Sequence, residues 1–287
     1  MKKKLVIICS ACVLFSCNKQ FTETDPATGQ EVAALTTNTT ATCDLIGIQQ
    51  VNGTAIYNRL SFVKDSTKMP LSMTFFDSVS QKTEKSIRFS YVSDTVKISD
   101  TEWFKLNQST KNVTTYFIRQ YYADSSYDDE RYEYKYDGLN RLMNKFIYYN
   151  GSSTPDYIAN YLYDANNNLI KSELLLNDGK TKILQSSVKY DLTKSIKPWI
   201  YLFGDAFENY IYLQGFNFGI KPSNPVTEMV TEIYDVNNGS VIDNWNTTFD
   251  GYVISKDKYV LQVDSNGDLQ QGLGLFIGTT RYSYVCK

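Results

Sequence analysis

A tyrosine–aspartate pair recurs along this chain at a fixed distance, and this spacing constrains the fold more than any other feature of the sequence. The aspartates of the three clearest copies lie 27 residues apart, at positions 137, 164 and 191. The copies are Tyr136-Asp137, Tyr163-Asp164 and Tyr190-Asp191, with Leu142, Leu169 and Ile196 five residues after the respective aspartates, and looser copies at Tyr234-Asp235 and Val263-Asp264. A fixed period of this length indicates one repeated supersecondary unit.

The copy around Asp164 predicts two strands joined by a tight turn. Tyr161 and Tyr163 are two residues apart, so they share one face of a strand. Asp164 ends that strand, because its carboxylate can accept hydrogen bonds from backbone N–H groups two or three residues later. The asparagines at 166–168 tolerate the left-handed conformation that such a turn requires.

The return strand is predicted from Leu169 to Leu176. Residues 177–180, with the sequence NDGK, then form the opposite turn, and the next strand ends at Tyr190. Two strands of about eight residues and two turns account for one period. The period is therefore that of an antiparallel up-and-down meander.

The rest of the chain carries the same all-β pattern. From Cys43 onwards short alternating runs are separated by turn signals, including Asn52-Gly53 and Ser93-Asp94, and no stretch shows a helical period over ten or more residues. The fold class predicted is all-β, an antiparallel meander curled into a barrel or half-barrel. We expect it to occupy residues 43–287 as one domain.

The two faces of a representative strand indicate that this sheet does not cross a membrane. In the sequence RYEYKY, one face carries Tyr132, Tyr134 and Tyr136, and the other face is charged. A membrane-spanning strand needs an apolar outer face. We therefore expect the charged face to meet water and the tyrosines to point inward.

The first residues predict export. Lysines at 2–4 precede an apolar run at 5–15 and then Ser16-Cys17, which predicts a lipoprotein signal peptide over residues 1–16 with lipidation of Cys17. The alternative is an ordinary secretory signal cut nearby. Lipidation would anchor the chain to a membrane, and the threonine-rich residues 17–42 are predicted to form a flexible tether.

The sequence next to Cys17 favours a particular location. Asn18 after the cysteine is compatible with sorting to the outer membrane. Residues 18–25 lack a tight acidic run of the kind expected for surface export. We therefore expect an outer-membrane lipoprotein, and a periplasm-facing position is favoured over the cell surface.

Charge and residue content exclude several classes of function. Without the signal, 26 basic residues stand against 31 acidic ones, giving a formal charge of −5 and no basic block, so nucleic acid is not an expected partner. The chain contains no histidine, which excludes Ser-His-Asp and Cys-His catalysis and histidine-based metal sites. Oligomeric state is left open by the sequence.

Two cysteines remain in the predicted domain, one near each end. In an oxidising compartment Cys43 and Cys286 are expected to form a disulfide that closes almost the whole domain. The alternative is two free buried thiols.

The turn at Asp164 and the sequence from Asp264 both match the opening of a calcium-binding loop. Such a loop needs glycine at its sixth position and an acidic residue at its twelfth. Leucines stand at all four of these positions: Leu169, Leu175, Leu269 and Leu275. We therefore predict neither a metal nor any other cofactor.

The acidic stretch DSSYDDE contains candidate carboxylates at Asp124, Asp128, Asp129 and Glu130. Two carboxylates across a cleft can act as acid and base in glycoside hydrolysis. Four acids so close together before a strand are more typical of a solvated loop. We expect no enzymatic activity.

Aromatic content is the most suggestive feature for binding, with 23 Tyr and 3 Trp. Most of these rings are expected to pack within the sheet. One group lies where the 27-residue period breaks, and it is the candidate ligand surface. Its members are Trp199, Tyr201, Phe203, Phe207, Tyr210 and Tyr212.

The sequences YKYDGLNRL, YLYDANNNL and QVDSNGDL resemble the core of YD repeats, found in Rhs-type toxins and teneurins. The glycine usual in that core is replaced by Leu139 or Asn167 in the first two. Together with PSNPVTEM (222–229) and FDGYVIS (249–255), residues 44–286 resemble bacterial lipoproteins that carry a domain of unknown function with a porin-like fold. The resemblance implies a fold and a location but no activity.

The function expected is that of a non-enzymatic binding or scaffold module of the cell envelope, with a glycan or an envelope protein as partner. A carrier of lipid or other apolar cargo is the alternative. A carboxylate-based hydrolase is the third candidate.

Overall fold

The computed structural model describes residues 43–52, 55–77, 82–197, 216–219, 221–267 and 278–286. Seventeen strands form one antiparallel sheet, and no helix occurs among the described residues. In chain order the strands are β1 (Cys43–Asn52), β2 (Ala55–Lys64), β3 (Pro70–Asp77), β4 (Lys82–Arg88), β5 (Ser90–Val92), β6 (Thr95–Lys97), β7 (Glu102–Leu106), β8 (Val113–Tyr121), β9 (Tyr127–Tyr136), β10 (Leu142–Tyr149), β11 (Tyr157–Tyr163), β12 (Leu169–Leu176), β13 (Lys182–Tyr190), β14 (Val226–Tyr234), β15 (Val241–Ile254), β16 (Val260–Gly267) and β17 (Gly278–Cys286).

The strands pair in chain order, as the predicted meander requires. Each strand is hydrogen-bonded to a sequence neighbour, and β4 and β5 are consecutive segments of one extended run separated only by Phe89. The last strand, β17, pairs with β16 and also with β1. The prediction of an all-β antiparallel meander is confirmed.

Most of the predicted strand and turn positions agree with the structure. The return strand runs from Leu169 to Leu176 as predicted, and the Ser93-Asp94 turn joins β5 to β6. Asn52, predicted as the first residue of a turn, instead belongs to β1 and pairs with Ala55, and Gly53 lies outside the described residues.

Two interpretations are wrong. Asp264 lies within β16, where its Oδ1 accepts a hydrogen bond from the Thr279 hydroxyl, so it does not end a strand as a repeat turn would. Asp128, Asp129 and Glu130 lie within β9 and are not part of a loop before it. Cross-strand pairing with β8 extends the strand over this acidic run, since Asp128, Asp129 and Glu130 pair with Gln120, Arg119 and Ile118.

The connections alternate between the two ends of the sheet. One end, here called the terminal end, carries the start of β1 at Cys43, the finish of β17 at Cys286 and the turns at 65–69, 137–141, 164–168 and 255–259. The opposite end, here called the distal end, carries the turns at 122–126, 150–156, 177–181 and 235–240. The aspartates of the three clearest copies therefore belong to the terminal end, whereas Asp235 of a looser copy begins a turn at the distal end.

The turn at Asp164 forms as its sequence predicts. Asp164 Oδ1 accepts hydrogen bonds from the backbone N–H groups of Asn166 and Asn168, both at 2.8 Å. Asn167 adopts a left-handed conformation with φ of 63°. The carboxylate thus satisfies donors that the tight backbone path leaves without a partner in the sheet.

The same turn occurs at three other places on the terminal end. In each, the first residue accepts a backbone N–H from the residue four positions later through its side chain, and the fourth residue has positive φ. These turns begin at Asp65, Asp137 and Ser255. Sequence analysis missed those at Asp65 and Ser255, because neither residue follows a tyrosine.

The copy at Asp191 forms a turn but does not restart a strand. Its carboxylate accepts the backbone N–H of Thr193, as the repeat predicts. The backbone N–H of Ile196 then donates to the carbonyl of Ser223 instead of to a neighbouring strand. The strand that pairs next with β13 is β14, which begins at Val226.

The tyrosine of the repeat makes a hydrogen bond that joins neighbouring turns. Tyr163 donates its hydroxyl proton to the carbonyl oxygen of Leu142, and Tyr190 donates to that of Leu169. In both pairs, 21 residues separate the donor from the first residue of the preceding strand. Each of these tyrosines therefore bonds to the residue at which the preceding strand begins. Because the copies lie 27 residues apart, the same contact recurs from one copy to the next.

This contact is repeated around the terminal end. Six tyrosines donate to the carbonyl of the first residue of a strand, and we call them the tyrosine rim. The pairs are Tyr91 with Pro70, Tyr136 with Val113, Tyr163 with Leu142, Tyr190 with Leu169, Tyr252 with Val226 and Tyr284 with Val260. Burial raises the pKa of Tyr190, Tyr252 and Tyr284 well above that of a free phenol, so these groups stay protonated donors.

The core lies on the inner face of the sheet. The side chains most completely removed from solvent are Phe104, Phe218, Met73, Leu142, Leu169, Val96 and Val113. Leu142 and Leu169 are the aliphatic residues five positions after the repeat aspartates. Each of the three clearest copies therefore supplies a turn, a rim hydrogen bond and a core side chain, whereas Tyr234 of a looser copy donates to Glu232 instead.

Cys43 and Cys286 face each other across β1 and β17 at the terminal end. Their sulfur atoms are bonded at 2.07 Å, which links positions 243 residues apart. The Cys43 N–H also donates to the hydroxyl of Tyr259 at 2.8 Å. The first and last strands are thus joined covalently as well as by the sheet.

We expect the double variant Cys43→Ser/Cys286→Ser to lose about 2–5 kcal/mol of unfolding free energy, since the open chain gains conformational entropy when unfolded. Urea denaturation of the oxidised and variant proteins measures this difference. Mass mapping without reductant is the direct check on pairing: alkylation of both cysteines in the unreduced protein would show that the pairing is wrong.

We expect Tyr163→Phe to lower the unfolding free energy by about 1 kcal/mol, because the buried hydroxyl and the Leu142 carbonyl lose their hydrogen bond while the ring is kept. Tyr127→Phe is the matched control, since Tyr127 is 49% exposed. Urea denaturation should show almost no change for the control. Equal stability of the two variants would contradict a structural role for the rim.

Candidate functional site

Between β13 and β14 the structure describes residues 191–197, 216–219 and 221–225, and we call these three parts the crossing segment. The backbone N–H of Lys197 donates to the carbonyl of Lys258, and Lys258 Nζ donates to the Ser195 hydroxyl. These bonds attach the segment to the turn at 255–259.

Amide side chains attach the crossing segment to two other turns. Asn168 Nδ2 donates to Asn224 Oδ1 at 3.0 Å, and Asn168 Oδ1 accepts the N–H of Ser223. Further along, Asn217 bridges to Asn112, whose own amide donates to Asn140. The asparagines of the repeat turns therefore bind another part of the chain.

Two phenylalanines of the crossing segment enter the core. Phe216 packs against Phe89 and Phe104 with ring centroids 5.2 and 4.7 Å apart, and Phe218 packs against Tyr134 at 5.2 Å. Phe216 and Phe218 are 2% and 0% exposed. These two side chains therefore occupy part of the inner space of the sheet near the terminal end.

Gly219 follows these phenylalanines and brings the segment very close to the turn at 137–141. Its φ is +94°, and a Cβ atom there would lie 2.5 Å from the carbonyl oxygen of Asn140. A glycine is needed for both reasons. Nearby, burial lowers the pKa of Lys221 to about 8, and the charge of Lys64 acts in the same direction.

Further towards the distal end, the inner face carries two carboxylates. Glu102 accepts a hydrogen bond from the Tyr116 hydroxyl at 3.1 Å, and Glu130 accepts one from Tyr132 at 2.7 Å. Both carboxylates lie opposite Ile118, on its two sides. The backbones of Glu102 and Glu130 are therefore two strand spacings apart, which is roughly 10 Å.

A cation lies close to this pair. Lys145 is 3% exposed, and its Nζ lies 4.5 Å from the centroid of the Tyr132 ring. Such a contact favours the charged amine through the ring quadrupole. The inner face thus combines carboxylates, phenols and an ammonium group at one level of the sheet.

The remaining carboxylates of the predicted acid–base group lie elsewhere. Asp129 points outward and binds Arg119 through two hydrogen bonds at 2.7 and 2.8 Å, and the guanidinium lowers the pKa of Asp129. Asp124 caps the turn at 122–126 by accepting from Ser126, which lowers the pKa of Asp124. Of the predicted acids, Asp124 and Asp129 therefore serve a turn and an ion pair.

The outer face of β7 to β10 carries a continuous row of planar side chains, which we call the outer aromatic row. Trp103 lies opposite Phe117, and the two rings stack with centroids 5.3 Å apart and an interplanar angle of 18°. Phe117 lies opposite Arg131. Arg131 lies opposite Tyr148, with its guanidinium carbon 3.9 Å from the centroid of that ring.

Charged groups border this row. Arg131 is also ion-paired with Glu133, which accepts a hydrogen bond from the Tyr148 hydroxyl at 3.3 Å. Lys97 lies opposite Trp103, and Lys105 Nζ lies 5.9 Å from the centroid of the Trp103 ring. Both lysines are exposed, and in the described part of the chain neither is ion-paired with a carboxylate.

The sequence did not single out this row. Its residues alternate with core residues, so only the register across four strands brings them side by side. The predicted ligand surface of Trp199, Tyr201, Phe203, Phe207, Tyr210 and Tyr212 lies outside the described residues, as do Cys17 and the whole of 1–42.

No group of three or more acidic, histidine or cysteine side chains among the described residues is arranged to hold a metal ion. At Asp164, Oδ1 is occupied by backbone N–H groups and Oδ2 accepts from Asn168. No helix long and apolar enough to cross a bilayer is found among these residues.

Comparison with known proteins identifies the fold alone. A porin-like protein from Bacteroides uniformis has a TM-score of 0.54 and 11% identity, covering 85% of this chain and 95% of its own. A porin-like protein from Bacteroides vulgatus has a TM-score of 0.53 and 11% identity, covering 85% and 99%. No family model and no curated protein matches the sequence. The prediction of a porin-like fold is confirmed.

We expect Gly219→Ala to lower the unfolding free energy by more than about 2 kcal/mol, since the new Cβ meets backbone and the φ is strained. Gly179→Ala is the matched control: its φ is also positive, at 67°, but no atom lies within 4 Å of the added Cβ. Its expected cost is about 1 kcal/mol. Equal losses in urea denaturation would show that the crossing segment does not need this close approach.

Proposed function

We propose that this protein is an exported lipoprotein of the cell envelope that acts as a non-enzymatic binding module for an envelope glycan. The observation that carries the proposal is the division of the sheet into an inner face that holds the core and an outer face with an ordered aromatic row. Because the inner face holds the core, the outer face is the surface on which a large ligand would bind. Stacked aromatic rings bordered by planar polar groups offer both apolar and hydrogen-bonding contacts.

The position of the chain ends supports attachment to a membrane. Lipidation of Cys17 and a tether over 17–42 would join the domain at Cys43, which lies at the terminal end. The crossing segment covers that end, so the side towards the membrane would be the side already packed with protein. The outer aromatic row would then stand on the flank of the module, facing the surrounding envelope.

A carrier of lipid or other apolar cargo is less well supported. Phe216 and Phe218 occupy the inner space near the terminal end. The inner side chains of β12 to β14 include Ser172, Ser186 and Thr231, and Ser186 and Thr231 hydrogen-bond to each other. An interior lined for acyl chains would favour aliphatic residues at these positions.

Native mass spectrometry of the full chain, extracted from its own envelope in mild detergent, tests the proposal. We expect a co-purifying saccharide that is removed by glycosidase treatment. A bound lipid other than the covalent anchor would instead support the carrier, and a stoichiometric protein without saccharide would support a scaffold. Either result would contradict glycan binding.

A further inference from the structure

We propose that the terminal end docks onto the surface of an anionic lipid bilayer, with exposed leucines in the interface and lysines on the lipid phosphates. This inference rests on the lipid anchor of the proposed function and not on its glycan ligand. The anchor would hold the chain near a bilayer, whereas docking determines which end of the sheet faces the lipid.

The first argument is charge. The terminal end includes the turns at 65–69, 107–112, 137–141, 164–168, 191–194 and 255–259. Every exposed charged residue in these six turns is a lysine, namely Lys68, Lys111, Lys194, Lys256 and Lys258. Most of their aspartates instead accept backbone N–H groups within the turn. In the four turns of the distal end named above, the exposed charged residues are Asp124, Asp178 and Lys180.

The lysines of the terminal turns remain accessible to a partner. Lys68 and Lys194 are ion-paired with Asp44 and Asp191, but their side chains are 48% and 59% exposed. Lys111 and Lys256 form no ion pair within the described part of the chain. Each lysine close to an anionic membrane surface adds to the attraction.

The second argument is the placement of two leucines in these turns. Leu139 is 63% exposed in the turn that begins at Asp137, and Leu192 is 60% exposed directly after Asp191. Turn positions of this kind favour polar residues. A leucine in water forgoes the stabilisation that burial gives an apolar side chain, and insertion between lipid headgroups restores it.

The third argument is a patch of exposed aliphatic side chains around the chain start, which we call the aliphatic collar. Its members are 38–54% exposed and lie on the neighbouring strands β3, β2, β1 and β17, within three residues of the terminal end of each strand. They are Leu71, Val63, Ile46 and Val285. A contiguous exposed apolar patch of this kind marks a protein or membrane contact.

The tether favours a bilayer as the partner of this end. Residues 17–42 would join the lipid anchor to Cys43, which lies on β1 within the aliphatic collar. A short flexible connection gives the terminal end a high effective concentration at the bilayer, so that weak contacts are enough for docking. A second copy of the chain meeting this end across a two-fold axis would bring the same lysines together, which is unfavourable.

The test places an environment-sensitive nitrobenzoxadiazole label on Leu139→Cys in the full chain. The protein is reconstituted in phosphatidylcholine vesicles with or without phosphatidylglycerol, and the vesicles carry a doxyl-lipid quencher. We expect strong quenching in the anionic vesicles, and weaker quenching in neutral vesicles or at high salt. Ile242→Cys is the matched control, since Ile242 is also 63% exposed but lies at the distal end of β15. Its label should be quenched little.

Two double variants test the role of charge. Lys111→Gln/Lys256→Gln should lower the ratio of docked to undocked protein at least about threefold. Lys82→Gln/Lys180→Gln is the matched control, because both of its lysines are exposed at the distal end, and it should leave the ratio unchanged. Labelled Leu192→Cys repeats the quenching measurement if Leu139→Cys fails to fold.

Equal quenching at Leu139→Cys and Ile242→Cys, or equal quenching in neutral and anionic vesicles, would overturn the inference. Equal effects of the two double lysine variants would also overturn it. A label at Leu139→Cys that is shielded without lipid quenching, and more so as protein concentration rises, would show that a second copy covers this end and would overturn it as well.

Mass spectrometry of the peptide that contains Cys17 separates these failures from failure of the proposed function. If Cys17 is not acylated, the proposed anchor is wrong, and flotation of the same full chain with anionic vesicles then tests docking directly. Flotation would support the inference, and a chain that stays unbound would overturn it. Glycan binding is tested separately by the saccharide captured from the envelope.

Discussion

The hydrogen bond from a tyrosine hydroxyl to the first carbonyl of the preceding strand is the interaction on which the terminal end depends. Strand pairing places the end of each of these strands beside the start of the strand before it. The rim contact adds a buried side-chain hydrogen bond at that point, because Tyr163 and Tyr190 each reach back 21 residues to the strand start made by the previous turn. Burial keeps the pKa of Tyr190 high, so this donor persists at any physiological pH.

Much of this arrangement could be predicted from residues close together in the chain. Asp164, its asparagines and Leu169 determine a turn and a strand restart within a few residues, and the structure places both where expected. Asp264 shows the limit of the pattern, since the same letters occur there inside a strand that pairs with β15 and β17. The turns at Asp65 and Ser255 show the opposite limit, because the hydrogen bonds require an oxygen at that position but not a tyrosine before it.

The candidate sites could not be predicted in the same way, since they depend on register between strands. Trp103, Phe117, Arg131 and Tyr148 are spread over 46 positions and become neighbours only when four strands align. Glu130 was expected with Asp128 and Asp129 in one acidic loop, but strand alternation sends Asp129 outward to Arg119 and leaves Glu130 with Tyr132. The contacts of the crossing segment could not be predicted from nearby residues either, because Phe216 packs against residues more than a hundred positions earlier.

The joining of Cys43 to Cys286 also determines how the domain responds to force. A pull on the chain at residue 43 would otherwise peel β1 away from β2 and β17 one hydrogen bond at a time, starting at its first residue. The disulfide transfers that load directly to the last residue of β17, so two strands have to be dragged together before either separates. A chain held at residue 43, as the proposed lipid anchor would hold it, is therefore protected from mechanical unravelling at that point.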